Sequence, residues 1–436
     1  MPRTGPGARR FSFACRERAR YFCAMTESRE SPVASLYVHV PFCAQKCAYC
    51  AFYSEASSGE LVNRYVAALV RELEMVADDL KPKTIFFGGG TPSLLNLRQW
   101  EKILRAMEKL NLLNGGSVGT TCWSSEAALQ RGPTKFEFTV ECNPATVSSD
   151  KAKMLRDFGV NRISMGIQSL DEKLLDRLGR IHTREMAFKS FDILRRAGFE
   201  NLNLDLMFAI PTQTMEIWRA TLAEAMAMQS EHLSSYEVIY EDDTPLFAQL
   251  KAGEFSVDEN LAFEMFEELV STAMRAGFNQ YEVANFARHK TLNSQPSTLN
   301  IPSLACKHNV NYWRGGSFYG LGPSATSYVR GVRTKNWANT QLYCEQLENG
   351  KRAIESTEEL PPLRRAGETA AFGLRMNAGW PFGEFQRVTG FDLRREWSGE
   401  MSQLAGRGWA EISPDNFRLT KTGLRFADSA AEMFLR

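Results

Sequence analysis

The sequence predicts an α/β fold: a partial parallel barrel of about six βα units followed by a smaller α+β domain. Three observations carry this. From Ser35 onward, short apolar β-branched or aromatic runs alternate with longer amphipathic stretches, which is the pattern of βα units on a parallel sheet. The chain has 436 residues, enough for a barrel-sized domain plus an appendage. From about Glu355 the rhythm changes to helix, helix, short hairpin, helix.

Strands are expected at 36–40, 84–87, 136–141, 162–167, 203–208 and 233–239, each rich in Val, Ile, Leu or Phe. Helices are expected between them at 60–79, 97–109, 150–158, 184–197, 215–228 and 259–276, where apolar residues recur at helical spacing. This gives a TIM-like (β/α)6 barrel over 35–285. Two segments interrupt it. Residues 111–135, rich in Gly, Ser and Thr, read as a loop insertion, and 290–304, with TLN twice around SQPS, as a second one. That second insertion lies in a connecting segment, 286–354. The last part, 355–436, resembles a winged-helix-like module. It lacks a basic recognition helix, so a covering or partner role is expected, not nucleic-acid binding.

Residues 1–34 form an N-terminal arm. Its first 24 residues hold six arginines and one acidic residue, which suits an organellar transit peptide by composition alone. Met25 opens a polar lead-in to the first strand. We therefore expect a disordered arm or a start assigned too early.

Lys and Arg number 52 against 51 acidic residues, a net charge of +1, so bulk charge gives no nucleic-acid or anionic-membrane footprint. No apolar run reaches the length of a membrane span. Nine cysteines, three of them clustered, suit a reducing compartment, and Cys15, Cys23, Cys122, Cys142 and Cys344 read as scattered free thiols. A cytoplasmic protein is expected.

The clustered three are Cys43, Cys47 and Cys50, a CxxxCxxC loop directly after the first strand and Pro41. Three thiolates on a short loop can take three corners of a [4Fe-4S] cube and leave the fourth iron open. A zinc site or a cluster of buried thiols is the alternative. Zinc commonly wants a fourth Cys or His nearby, and none follows Cys50. A second signal is Gly88-Gly89-Gly90-Thr91-Pro92 after the second strand, where bare backbone can approach a small molecule. In a parallel barrel the working side chains sit at the carboxyl ends of strands. Here those ends offer Glu141, Gln168 and Asp205, with Arg180 in the loop between the fourth and fifth strands.

The cysteine loop and the glycine segment together resemble the radical S-adenosylmethionine (SAM) proteins, in which the cluster supplies the electron that opens the SAM sulfonium. LYVHVPFC, GGGTPS, ECNP, RISMGIQS, LGRIHT and NLDLMFAIP, in this order, are similar to the oxygen-independent coproporphyrinogen III oxidase family and its relatives. The resemblance implies that Cys43, Cys47 and Cys50 hold the cluster. It implies SAM contacts from Tyr37, Gly89, Gly90, Thr91, Glu141, Gln168, Arg180 and Asp205, with Tyr49 near the adenine. His39 is expected to be a packed strand residue and His182 a polar loop residue.

Within that family the true oxidase resembles CxxxCxxCxC, and its last cysteine is Phe52 here. The oxidase's long N-terminal substrate arm is also missing between Met25 and the first strand. Cys306 to Trp313 reads CKHNVNYW, and HNxxYW is similar to the motif of the HemW-type radical SAM haem chaperones. That branch implies haem as cargo, delivery to apo-proteins of the respiratory chain, a reductant for the cluster, and peripheral inner-membrane contact or dimerisation as open options. His308 is the expected haem ligand, with Cys306 a second candidate, and Tyr312 and Trp313 offer flat faces. The alternative expectation is the oxidase itself, an enzyme of porphyrin biosynthesis.

Overall fold

The computed structural model describes residues 31–56, 58–113, 136–289 and 301–435. The expected N-terminal arm, the insertion over 114–135 and residues 290–300 of the second insertion lie outside them.

Six parallel strands follow one another in space as in sequence: β1 (Val33–Val40), β2 (Leu80–Gly89), β3 (Glu137–Cys142), β4 (Arg162–Gln168), β5 (Leu202–Phe208) and β6 (His232–Glu237). Each takes one face of its pleat outward, such as Leu36, Val38 and Val40 on β1 or Phe138 and Val140 on β3, into one large core. The helices that cover this face are α1 (Gly59–Val76), α2 (Leu97–Lys109), α3 (Ser149–Asp157), α5 (Arg184–Arg196), α6 (Met215–Ala227) and α8 (Glu259–Arg275), while α4 (Glu172–Arg177) and α7 (Pro245–Lys251) pack in a smaller cluster with Tyr49. Most begin at a side-chain cap. Asn96 and Gln99 close a reciprocal capping box on α2, and Thr183 and Thr214 cap α5 and α6.

The sheet does not end at the sixth strand. An antiparallel pair, β7 (Asn279–Glu282) and β8 (Asn285–Ala287), joins β6, and β9 (Tyr319–Leu321) adds in parallel to β1. Among the described residues the order is therefore β9-β1-β2-β3-β4-β5-β6-β8-β7, an open barrel. The stretch read from sequence as a connection thus supplies a strand to one edge. It also supplies α9 (Lys307–Trp313), which carries HNxxYW, and then β10 (Thr326–Val329), β11 (Val332–Asn336), α10 (Thr340–Glu348) and β12 (Ile354–Glu359), whose three strands pair antiparallel.

The C-terminal part opens with α11 (Pro362–Gly373) and continues as five short helices around a three-stranded antiparallel ribbon. It has its own aromatic core of Trp380, Phe385, Trp397, Phe417 and Phe434. Backbone bonds from Asn377 to Tyr281 (3.0 Å) and from Val283 to Arg375 (3.1 Å) fasten it to the β7–β8 edge.

Candidate functional site

The inward face of the pleat is polar. Along β1 it carries Ser35, Tyr37 and His39, along β2 Thr84, Phe86 and Gly88, and along β3 Glu137, Thr139 and Glu141. Register places Tyr37 beside Phe86, Phe86 beside Thr139, and Thr139 beside Arg162. One strand, β3, therefore sends Glu141 to the carboxyl-end mouth and Glu137 to the foot of the same lumen.

At the mouth, Cys43, Cys47 and Cys50 lie on the loop after β1 and are partly exposed, whereas Cys142, Cys306 and Cys344 are buried. The loop is held from two sides: Ala48 donates its N–H to Leu178 O (3.0 Å), and Leu246 N–H reaches Ala48 O (2.9 Å). Arg180 donates from Nη1 to Cys47 Sγ (3.3 Å) and from Nη2 to Gly166 O (2.7 Å). Thr91 Oγ1 stands 3.5 Å from Cys43 Sγ. Burial pushes the Cys50 thiol above its usual range. Among the described residues no three His, Cys, Asp or Glu side chains are gathered at one ion-sized site. Three partly exposed thiols, with a guanidinium beside Cys47, could hold three corners of a cluster.

The glycines of the second strand are demanded by their surroundings. A Cβ on Gly90 would lie 2.7 Å from Phe42 O and 2.8 Å from Val40 O, both backbone. Gly90 and Thr91 instead donate N–H bonds to those two carbonyls (2.8 and 2.7 Å). Gly89 has φ +100°, and its Cβ would fall 2.5 Å from the His39 ring. Gly88 leaves room for Glu141, whose Oε2 would be 3.0 Å from a Cβ there.

Glu141 is pushed up to about 8 by burial and then by Asp205, against the pull of the Gly89 N–H and Arg162. Burial also raises Asp205, whose two oxygens accept from Ser164 Oγ (3.0 Å) and Asn203 Nδ2 (2.8 Å). Gln168 sits at φ +66° where β4 bulges after Gly166, a conformation that costs a non-glycine residue energy. That bend folds its side chain back over Gly166, where Gln168 Nε2 and Arg180 Nη2 would stand 3.0 and 3.4 Å from a Cβ. Burial and Glu141 raise the Tyr37 phenol. Tyr49 packs with Leu178, Met207 and Val238 behind the cysteine loop.

The three histidines singled out from the sequence are all buried. His39 is buried, donates from Nε2 to Tyr53 O (2.8 Å) and accepts Tyr37 Oη–H at Nδ1 (3.2 Å), as a packed strand residue should. His182 lies on the loop before α5, as expected, but is buried there. Only 2% of its surface is exposed, its Nε2 bonds Ile167 O (3.1 Å), and burial and then the Arg180 charge push it down to about 4.

His308 departs furthest from expectation. It is 1% exposed and stacks on Phe86 at 5.2 Å between centroids. Its Nδ1 pairs with Thr84 Oγ1 (2.9 Å) and its Nε2 with Tyr312 Oη (2.7 Å). Burial, with the Arg162 charge, pushes it down to about 3. Both ring nitrogens are taken, so the imidazole has no lone pair to offer a haem iron in this arrangement. Cys306 is equally enclosed: it is 0% exposed, lies 3.5 Å from Glu137 Oε1, and burial first pushes its thiol up to about 12. Glu137, which sequence reasoning passed over, accepts the N–H groups of Lys307 (2.9 Å) and His308 (3.0 Å) and so caps α9. Its four-residue spacing from Glu141, an even number that keeps both on one strand face, was the available signal.

A parallel open barrel with three thiols, a glycine segment and inward carboxylates at its mouth defines a protein of the radical SAM class. In agreement, residues 37–225 match the Radical SAM superfamily. The chain is 30% identical to the heme chaperone HemW of Lactococcus lactis, over 92% of this chain and 97% of that one. It is 31% identical to the heme chaperone HemW of Escherichia coli, over 93% and 98%. The chain belongs to the HemW family. Among solved structures, the coproporphyrinogen III oxidase HemN of Escherichia coli superposes with a TM-score of 0.76, covering 95% of this chain and 93% of that one at 19% identity, which shows the shared fold.

Proposed function

We propose that this protein is a haem chaperone that holds a [4Fe-4S] cluster on Cys43, Cys47 and Cys50 and binds SAM at the adjoining mouth. The observation that carries the reading is the convergence of three partly exposed thiols, the loop residue Arg180, and Gln168 and Glu141 at the carboxyl ends of consecutive strands, with Asp205 midway along the next. The cluster supplies an open iron site and an electron from an external reductant. The chain supplies placement. Glu141 and Asp205 face a cationic ligand, Gln168 and Arg180 offer donors over Gly166, and the Gly88–Gly90 backbone leaves the approach clear. Tyr37, Gly89, Gly90, Thr91 and Tyr49 complete the proposed SAM contacts.

Haem is the proposed cargo, associated with the HNxxYW segment. Client apo-proteins of the respiratory chain are proposed as recipients, reached from the cytoplasm or at the inner membrane. Among the described residues no helix is long and apolar enough to cross a membrane. Phe52 is 69% exposed where the oxidase pattern places a cysteine, which favours the chaperone over the decarboxylase.

The test is a haem titration of anaerobically reconstituted protein followed by its Soret band, with iron, sulfide and zinc analysis. Stoichiometric haem and iron with sulfide are expected. Zinc without iron sinks the cluster reading, and turnover of coproporphyrinogen III to protoporphyrinogen IX sinks the chaperone-only reading.

A further inference from the structure

On the far side of Tyr312 from His308, the motif helix opens onto a cavity of about 240 Å³ between α9, the β10–β11 hairpin and α11. Five aromatic rings wall it: Tyr312, Trp313, Phe318, Tyr328 and Phe372. The rings lean on one another, Tyr312 on Phe318 at 4.2 Å, Phe318 on Tyr328 at 6.4 Å and Trp313 on Phe372 at 6.5 Å between centroids. Two adjacent glycines give it shape. Gly315 has φ +70° and its Cβ would meet Thr369 Cγ2 at 2.8 Å, while a Cβ on Gly316 would strike Asn311 Oδ1 at 2.0 Å. Bare backbone therefore lets the chain leaving α9 pass directly against α11.

The charge around the cavity is unevenly committed. Arg333, which lines it, is bracketed by Glu368 (2.6 Å) and Glu358. Arg365 is different. It stands one turn before Thr369 on α11, against the β10–β11 turn at Gly331, and its charge acts on the Tyr328 phenol. It stands outside the lining itself, and no ion pair among the described residues joins it to a carboxylate. Residues 365, 369 and 372 share one helix face, so α11 presents a cation, a hydroxyl and an aromatic ring in line.

Aromatic walls select a flat apolar guest, and an uncommitted guanidinium selects a carboxylate. Sites that engulf a drug-sized ligand occupy roughly 300–1,000 Å³, so this one takes an edge of a larger molecule and leaves the rest in solvent. We propose that this aromatic cleft, and not the His308 imidazole, is the haem seat, holding one edge of the tetrapyrrole with a propionate carboxylate turned to Arg365. The proposal rests on the haem reading above and names its site. His308 is then a positioning residue that holds Tyr312 as the inner wall. An edge-on seat leaves the cargo open to a recipient.

The test uses the full chain, titrated with iron protoporphyrin IX and with its propionate dimethyl ester, each followed by the Soret band. F372E is measured alongside, since Phe372 is 45% exposed and the change leaves the core alone, together with R365Q. The acid is expected to bind roughly fivefold more tightly than the ester, with R365Q abolishing that difference. F372E is expected to weaken the acid by about tenfold. Acid and ester binding alike, with F372E matching wild type, overturns this inference and leaves the haem reading standing. No Soret band in the wild-type chain overturns both.

Discussion

At the scale of single residues, burial holds several histidines and carboxyls of the lumen neutral beside the charged Arg162. His39 and His308 are held uncharged, and Glu141, pushed up to about 8 by burial and then Asp205, carries a proton at neutral pH in the ligand-free protein. Such shifts gather where a site is arranged to meet a ligand's charge. They also have a stability consequence with a definite sign. Between the ordinary carboxyl range and about pH 8 the native state holds a proton that the unfolded chain has lost, so stability falls as pH rises through that window. Urea unfolding at pH 6 and pH 9 is expected to show wild type losing ~2 kcal/mol more than E141Q. Equal losses would mean that Glu141 is ionised throughout. Glu141 was legible in the sequence because it ends a strand. The roles of His308 and His182 were not, because a lone imidazole says nothing of which partners reach its two nitrogens.

At the scale of elements, legibility followed locality. The six parallel strands announce themselves through β-branched and aromatic runs, and their helices through period and caps, so their bounds moved by only a few residues. Helix α9 gives no such signal. KHNVNYW holds two Asn, a His and a Val, poor helix formers, and Cys306 offers no side-chain cap. What starts the helix is the Glu137 carboxylate, 170 positions earlier, which accepts two of its first N–H groups and suits the positive end of its dipole. The hairpin of β10 and β11 was missed for the same reason: TSYV and VRTKN are short and acquire their pairing from β12 and from the ring of Phe318. Glu137→Ala is expected to cost about 1–3 kcal/mol and to raise amide exchange selectively over 306–313. Unchanged protection there would show that the lumen packing of His308 and Tyr312 suffices without the cap.

At the scale of the molecule, an open sheet needs something to hold its late-arriving edge, and one buried carboxylate is placed to do so. Glu72 lies on the apolar side of α1, 0% exposed between Leu69 and Leu73. Its Oε2 accepts the Gly322 N–H (2.9 Å) just after β9 and the Tyr343 hydroxyl (2.7 Å) on α10, and its Oε1 accepts Asn336 Nδ2 (2.8 Å) at the end of β11. These donors come from residues 322–343, so a helix from the first βα unit is tied to the segment that closes β9 onto β1. Burial raises the Glu72 carboxyl, opposed by the three donors, and the stability it contributes is lost as pH rises above the ordinary carboxyl range. Glu72→Ala leaves three buried donors without an acceptor and is expected to cost about 3–5 kcal/mol in denaturant unfolding, whereas Glu72→Gln, which keeps one acceptor oxygen, costs about 1–3 kcal/mol. Because the donors sit just after the edge strand, on β11 and on α10, the loss belongs to the main cooperative transition of the barrel, not to a separate late one. A Glu72→Ala protein whose 319–343 segment loosens in proteolysis while the barrel transition stays in place would show that β9 is an appended edge; movement of both together makes it a structural part of the barrel.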